Sequence, residues 1–131
     1  MTQILKKSAP ALNIRVGHQA RELILKEGLQ AHHVDTIPGA AGGPKGIGLT
    51  GLDQAIFGDF LSQAKQRRFL IGSSVGAWRF AGIVAQGEKK GPEKLAELYT
   101  HLPFHKKMKI ADIEKISRDM LAGILENKSQ Q

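Results

Sequence analysis

The chain has 131 residues and a mass of 14.2 kDa, which is the size of a single domain. Its 19 basic and 12 acidic residues give a net charge of +7, and 41% hydrophobic residues indicate a globular rather than a disordered chain. The sequence has no cysteine, no apolar run of the roughly 18 residues that a membrane span needs, and only 5% aromatic residues, which excludes disulfides, a spanning helix and a base-stacking platform. We therefore expect no nucleic-acid partner, no secretory signal and a cytoplasmic location.

The first half of the chain predicts two helices and a strand. We expect an irregular lead-in over residues 1–13 and then a helix from about residue 16 that ends at Gly28. Residues 31–37 are partly β-branched and predict a strand. Helical spacing then predicts one helix over about residues 46–64. Its expected apolar face consists of Leu49, Leu52, Ile56, Phe57, Phe60 and Leu61.

The second half of the chain predicts one more strand and three helices. The apolar run over residues 69–71 is typical of a strand buried on both faces. A helix should follow over residues 74–86, and the region over residues 92–126 should be helical, with a frayed tail after it. The expected core residues of these helices are Val75, Trp78, Ile83, Val84, Leu95, Leu98, Tyr99, Ile110, Ile113, Ile116, Met120, Leu121 and Ile124.

The order of elements predicts an α/β fold. Residues 31–86 should form a parallel βαβ unit that carries the motifs, followed by helices. Two parallel strands do not form a stable sheet alone, because parallel sheets need covered faces and edges. We therefore expect residues 1–131 to be a single incomplete domain that lacks most of its sheet.

The turn after the second strand carries a serine in a recognisable pattern. Residues 72–76 read Gly-Ser-Ser-Val-Gly and fit G-x-S-x-G, which places Ser74 on a tight turn between a strand and a helix. Such a turn exposes the serine hydroxyl above the end of the sheet, and glycines flank it because side chains there would collide. The alternative is a serine that only caps the helix, which would not require Gly76.

A glycine-rich loop lies between the first strand and the crossover helix. Backbone N–H groups in such a loop converge on one point, which can hold a phosphate or an oxyanion. A phosphate-binding loop that starts at Gly39 fails at Pro44 and Gly46, and a dinucleotide fingerprint over residues 46–51 lacks the acid about 20 residues further on. The third interpretation is an oxyanion hole that precedes a nucleophile by one crossover.

Together the two motifs resemble the patatin-like phospholipases. The matching segments are Gly-Gly-Pro-Lys-Gly over residues 42–46 and Gly-Ser-Ser-Val-Gly-Ala over residues 72–77, and the resemblance covers residues 33–86. Family members usually carry a third glycine where this chain has Ala41, and alanine suits that position if its φ is negative. The resemblance implies a partial patatin-like fold with an oxyanion loop and a nucleophile elbow.

The resemblance also implies a chemistry and its residues. Ser74 would attack a lipid ester carbonyl and form an acyl-enzyme, while the amides of Gly42 and Gly43 stabilise the oxyanion. No cofactor is implied. Four further motif residues are implied to support the loop and the turn: Lys45, Gly46, Gly72 and Gly76.

The family's general base is an aspartate in a D-G-[GA] motif downstream of the serine, and this chain does not contain it. Asp112 and Asp119 follow Ser74 but belong to the predicted last helix, and Asp35 lies upstream, on or beside the first strand. The resemblance therefore implies a Ser–Asp dyad whose aspartate lies in a missing remainder of the domain. We expect the isolated chain to be inactive.

Histidine does not supply the base in this interpretation. His101 and His105 follow the serine at a helix exit, without the intervening strands of an α/β-hydrolase. His32 and His33 are adjacent in a predicted strand, where neighbouring side chains point in opposite directions, so we expect no metal site.

Two functions other than hydrolysis stay open. The loop over residues Gly39 to Gly51 and the basic charge could serve a module that binds phosphate or a nucleotide. The second of these functions is that of a helical remnant of a domain, kept for contacts with other proteins. For the hydrolase, the expected partners are a lipid ester substrate and an anionic membrane surface that the basic face could contact.

Overall fold

The computed structural model describes residues 13–103 and 107–125 and divides the chain into two units, residues 1–30 and 31–131. All but the last residue of the expected lead-in, and the tail over residues 127–131, lie outside the described residues. The first unit contains helix α1, His18–Glu27. Gly28 ends it with φ +76°, and its N–H donates to the Ile24 carbonyl at 2.8 Å. This confirms the predicted stop at Gly28.

The second unit is mixed α/β and mostly helical, with two parallel strands. Strand β1, Thr36–Gly39, pairs with strand β2, Phe69–Gly72, so that Thr36 lies beside Phe69 and Gly39 beside Gly72. This confirms a parallel unit with one crossover. The elements are β1 Thr36–Gly39, a crossover segment Gly43–Gln63, β2 Phe69–Gly72, α3 Val75–Gln86, α4 Lys90–Thr100 and α5 Ile110–Leu125.

The crossover segment differs from the single α-helix predicted over residues 46–64. It starts as a 3₁₀ helix at Gly43–Leu49, continues as the short helix α2 at Thr50–Asp53 and the π-helix Gln54–Phe60, and ends in a 3₁₀ turn, Leu61–Gln63. Its glycines have low helix propensity, so tertiary contacts set the local winding. Of the predicted apolar face, Leu61 is buried, and the other five side chains are partly or largely exposed.

The first strand begins later than predicted. Ala31–His33 forms a 3₁₀ turn, and the strand starts at Thr36 and includes Pro38 and Gly39. The Arg68 guanidinium holds this turn, because its Nη2 donates to the Ala31 carbonyl at 3.0 Å. The rings of His32 and His33 have centroids 4.2 Å apart, so these side chains do not point in opposite directions, as predicted for neighbours in a strand.

The prediction that β2 is buried on both faces is wrong. Gly39 and Gly72 face α3, because a Cβ on either would collide with Phe80 or Ala77. Side chains alternate along a strand, so Phe69 and Ile71 lie on the opposite face, where they are 59% and 63% exposed. The sheet in the described chain is therefore covered on one face by α3, and the other face is apolar and open.

The main core lies among α3, α4 and α5. Leu95, Met120 and Ile124 form its buried centre, and half-buried Trp78 and Leu98 pack against it. Several predicted core residues are instead substantially exposed: Val84, Ile110, Ile113 and Leu121. None of the helices in the two described ranges is long and apolar enough to cross a membrane.

Replacing Ile124 with alanine is expected to lower the free energy of unfolding by roughly 2–5 kcal/mol, because a fully buried side chain leaves a cavity. Ile110→Ala in the same helix removes a side chain that is 84% exposed and should change stability by less than about 0.5 kcal/mol. Urea denaturation of both variants measures the difference. Equal losses would show that α5 does not pack as described.

Candidate active site

Ser74 lies on the turn between β2 and α3 in a rare backbone conformation. Its φ is +53° and its ψ is −127°, and no other non-glycine residue in the described part of the chain has a positive φ. Such a conformation costs about 1–3 kcal/mol and persists only where the surrounding structure enforces it. The residue is exposed. This geometry presents the hydroxyl at the carboxyl end of the sheet.

Hydrogen bonds fix the turn on both sides of Ser74. The Ser73 N–H donates to the Gly39 carbonyl at 3.0 Å and extends the ladder between the strands. The N–H groups of Ala77 and Trp78 donate to the Ser74 carbonyl at 2.9 and 3.2 Å and begin the helix. The strained residue is thus held between a strand end and a helix start.

The two motif glycines permit close backbone contacts. A Cβ on Gly72 would lie 2.5 Å from the Ala77 Cα, and a Cβ on Gly76 would collide with the Gly39 carbonyl. Gly76 is therefore needed for α3 to approach β1, which a serine that only caps the helix would not require. Ser74 also makes no side-chain cap hydrogen bond.

The glycine loop starts the crossover segment beside this turn. Gly43 has φ +55°, and its amide and that of Gly42 lie at the start of a helix, where amides lack acceptors within the helix. Ala41 does not have a positive φ, so alanine suits that position. Gly42 and Lys45 are exposed. The loop thus offers backbone amides and the exposed ammonium group of Lys45.

The loop and the serine turn are in direct contact. Gly46 is buried, and a Cβ there would lie 2.7 Å from a methyl carbon of Val75, the residue after Ser74. Gly39 lies against Gly76 at the same end of the sheet. The structure therefore brings the two motifs together, and Gly46 and Gly76 are the points of closest approach.

No described residue hydrogen-bonds to the Ser74 hydroxyl. Asp112 accepts from the Lys109 N–H at 2.9 Å, and Asp119 pairs with Lys115 at 2.8 Å, both within or next to α5. The Lys115 pKa is raised by its hydrogen bond to Asp119. Neither aspartate carboxylate is therefore directed to the serine.

Asp35 and His101 do not hydrogen-bond to the Ser74 hydroxyl either. Asp35 precedes β1 and is about 13 Å, the length of a short strand, from the serine end of the sheet. His101 Nδ1 lies 2.7 Å from the Glu97 carbonyl oxygen at the end of α4. His105 is outside the described residues. The described residues thus bring together a candidate nucleophile and candidate oxyanion donors, and none of the candidate bases among them hydrogen-bonds to the serine hydroxyl.

A buried ion pair beside the site was not predicted from the sequence. Asp53, the last residue of α2, is 1% exposed and accepts two hydrogen bonds from Arg79 on α3. Nε donates to Oδ2 at 2.7 Å and Nη2 donates to Oδ1. This hydrogen bonding raises the pKa of Arg79 against the opposing effect of burial. The sequence signal that could have indicated this pair is the position of Asp53 among the apolar residues Leu49, Leu52 and Ile56 of the predicted helix face.

Comparisons of the chain with protein-family models, with curated proteins and with solved structures found no match.

Proposed function

We propose that this chain carries the nucleophile and the oxyanion loop of a serine-dependent lipid acyl hydrolase of the patatin-like type. The observation that carries the proposal is the strained backbone of Ser74 at the end of a parallel strand, since backbone strain that the surrounding structure enforces is concentrated at functional sites, and a nucleophile elbow has such a serine. A cap or a plain turn would let Ser74 relax. The contact between Gly46 and Val75 also supports the proposal, because Val75 follows Ser74 and the loop therefore lies beside the serine turn.

In the proposed reaction the Ser74 hydroxyl attacks an ester carbonyl, its proton passes to a base, and the alcohol leaves from an acyl-enzyme. Water then attacks the acyl group and releases the acid. The amides of Gly42 and Gly43 would donate to the tetrahedral oxyanion, each worth about 3 kcal/mol of transition-state stabilisation. Lys45, exposed beside them, would fix the loop or meet an anionic head group.

The general base in this proposal is a carboxylate on polypeptide outside the described residues. Two observations support it: no described group hydrogen-bonds to the Ser74 hydroxyl, and the open sheet face with Phe69 and Ile71 is apolar, as expected where further structure packs. We propose that the same polypeptide completes the sheet. Without it, the serine hydroxyl is a poor nucleophile at neutral pH.

The rate of Ser74 phosphonylation as a function of pH tests this proposal. A fluorophosphonate is added between pH 6 and 10, and adducts are counted by intact mass after circular dichroism confirms the fold at each pH. We expect a rate first-order in hydroxide, about a hundredfold above that of N-acetylserinamide, because the oxyanion donors act while hydroxide replaces the base. Added imidazole should accelerate the reaction.

Two results would contradict this proposal. A rate no greater than that of N-acetylserinamide would remove the oxyanion loop from the mechanism. A plateau near neutral pH would show that the chain already contains a base. If the rate is low and inorganic phosphate raises the melting temperature, the Gly39 to Gly51 loop serves as a phosphate or nucleotide site instead.

A further inference from the structure

The buried Asp53–Arg79 pair connects the segment after the glycine loop to the helix after the serine turn. Asp53 ends α2, directly after the 3₁₀ helix that begins at Gly43, and Arg79 follows Ser74 by five residues. We propose that this pair positions the loop amides against the Ser74 hydroxyl. Its chemical consequence rests on the proposed function, and its structural consequence does not.

The geometry of the pair fixes orientation as well as distance. Arg79 donates through two nitrogens to both carboxylate oxygens of Asp53, and a planar guanidinium bound in this way holds the carboxylate in one plane. The neighbouring contact between Gly46 and Val75 is apolar and has no preferred orientation. The pair therefore adds an orientational constraint to the segment after the loop, which the apolar contact does not supply.

The next residue extends the same attachment to α4. Gln54 Nε2 donates to the Lys89 carbonyl at 3.0 Å and to Glu93 Oε1 at 2.8 Å. Consecutive residues of the crossover segment are thus bound to two different helices. Because the glycine loop leads directly into the crossover segment, the contacts of Asp53 and Gln54 also restrict the position of the loop.

Stability alone does not explain a buried charged pair at this position. Apolar residues of similar volume often replace a buried ion pair without loss of stability, whereas removal of one partner leaves an unpaired buried charge. Both side chains are largely buried, with exposures of 2% and 12%. Positional specificity is the property that an apolar replacement would lose.

Amide hydrogen exchange, measured by NMR, separates positioning from stability. The variants are Asp53→Asn, Arg79→Lys and the apolar double replacement Asp53→Leu with Arg79→Met. Glu114→Gln is the control, because it breaks the exposed pair between Arg118 and Glu114 on α5. The readout is exchange at residues 45–49 relative to exchange in α4 and α5.

We expect Asp53→Asn to accelerate exchange at residues 45–49 at least about tenfold more than in α4 and α5, given the strength of charged hydrogen bonds. Arg79→Lys keeps the charge but loses the planar fork, so it should resemble Asp53→Asn. The double variant should regain the urea midpoint of the wild type without regaining loop protection. If the single variants do not fold, loop exchange in the Asp53→Leu, Arg79→Met double variant is sufficient to test the proposal.

Three outcomes would overturn the positioning role. The first is an equal acceleration of amide exchange in the loop and in the helices. The others are wild-type protection of the loop amides in the double variant and wild-type exchange rates in Arg79→Lys. Phosphonylation of Ser74 identifies which proposal fails. If the wild-type chain is labelled no faster than N-acetylserinamide, the hydrolase proposal is rejected. The hydrogen-exchange result then tests the positioning role of the Asp53–Arg79 pair independently. Accelerated labelling that stays unchanged in all three variants, with unchanged exchange, rejects the pair alone.

Discussion

Ser74→Ala is expected to abolish phosphonylation of the chain, because the proposed reaction uses a single hydroxyl. Intact-mass spectra at pH 9 should show one adduct on the wild type and none on the variant. Ser73→Ala is the matched control, since Ser73 is adjacent, exposed and bound to Gly39 through its backbone only. Loss of the adduct in the Ser73 variant, or its persistence in the Ser74 variant, would contradict the assignment.

Ser74→Gly tests the strain on which the assignment depends. Glycine adopts a positive φ without a Cβ clash, so relief of strain should outweigh the added entropy of the unfolded chain. We expect Ser74→Gly to raise the free energy of unfolding by about 1 kcal/mol relative to Ser74→Ala while labelling stays absent. Equal stability of the two variants in urea would show that the serine backbone is not strained.

Gly76→Ala is expected to destabilise the second unit strongly. Its new Cβ would collide with the Gly39 carbonyl, and backbone on both sides leaves no flexible side chain to move away. Separation of α3 from β1 should lower the free energy of unfolding by roughly 2–4 kcal/mol. It should also reduce labelling of Ser74, because the turn loses its support. Urea denaturation and the labelling rate measure the two effects.

Gly48→Ala is the matched control for this substitution. Gly48 lies in the 3₁₀ helix of the loop, and a Cβ there would meet nothing within 4 Å. Alanine should therefore be neutral or stabilise by up to about 1 kcal/mol. A similar loss of stability in both variants would show that the contact at Gly76 is not responsible.

Glycine positions allowed several features to be predicted from the sequence. Gly28 ends α1 with a positive φ, as predicted, and the helix predicted to end at residue 86 is ended by Gly87 in the same way. The spacing of Gly72, Ser74 and Gly76 predicted a tight turn between a strand and a helix, and the structure has one there. These features are local, because each depends on the conformation of a few neighbouring residues.

The burial of β2 and the winding of the crossover segment could not be predicted in the same way. An apolar run such as Phe69–Ile71 has the same pattern whether its second face is covered or open. The crossover winding depends on how closely Gly46 approaches Val75 and where Asp53 meets Arg79. Periodicity carries no information on such contacts between distant segments.

Local sequence signals were therefore sufficient to predict the ends of α1 and α3, the strand–turn–helix at Ser74 and the resemblance of the two glycine motifs. The contact between Gly46 and Val75, the open face of the sheet and the pairing of Asp53 with Arg79 across 26 positions became visible in the folded chain alone. The two sets of features differ because they depend on interactions over different distances along the sequence. Backbone propensity and turn chemistry act over a few residues, whereas burial and charge pairing depend on which elements pack together.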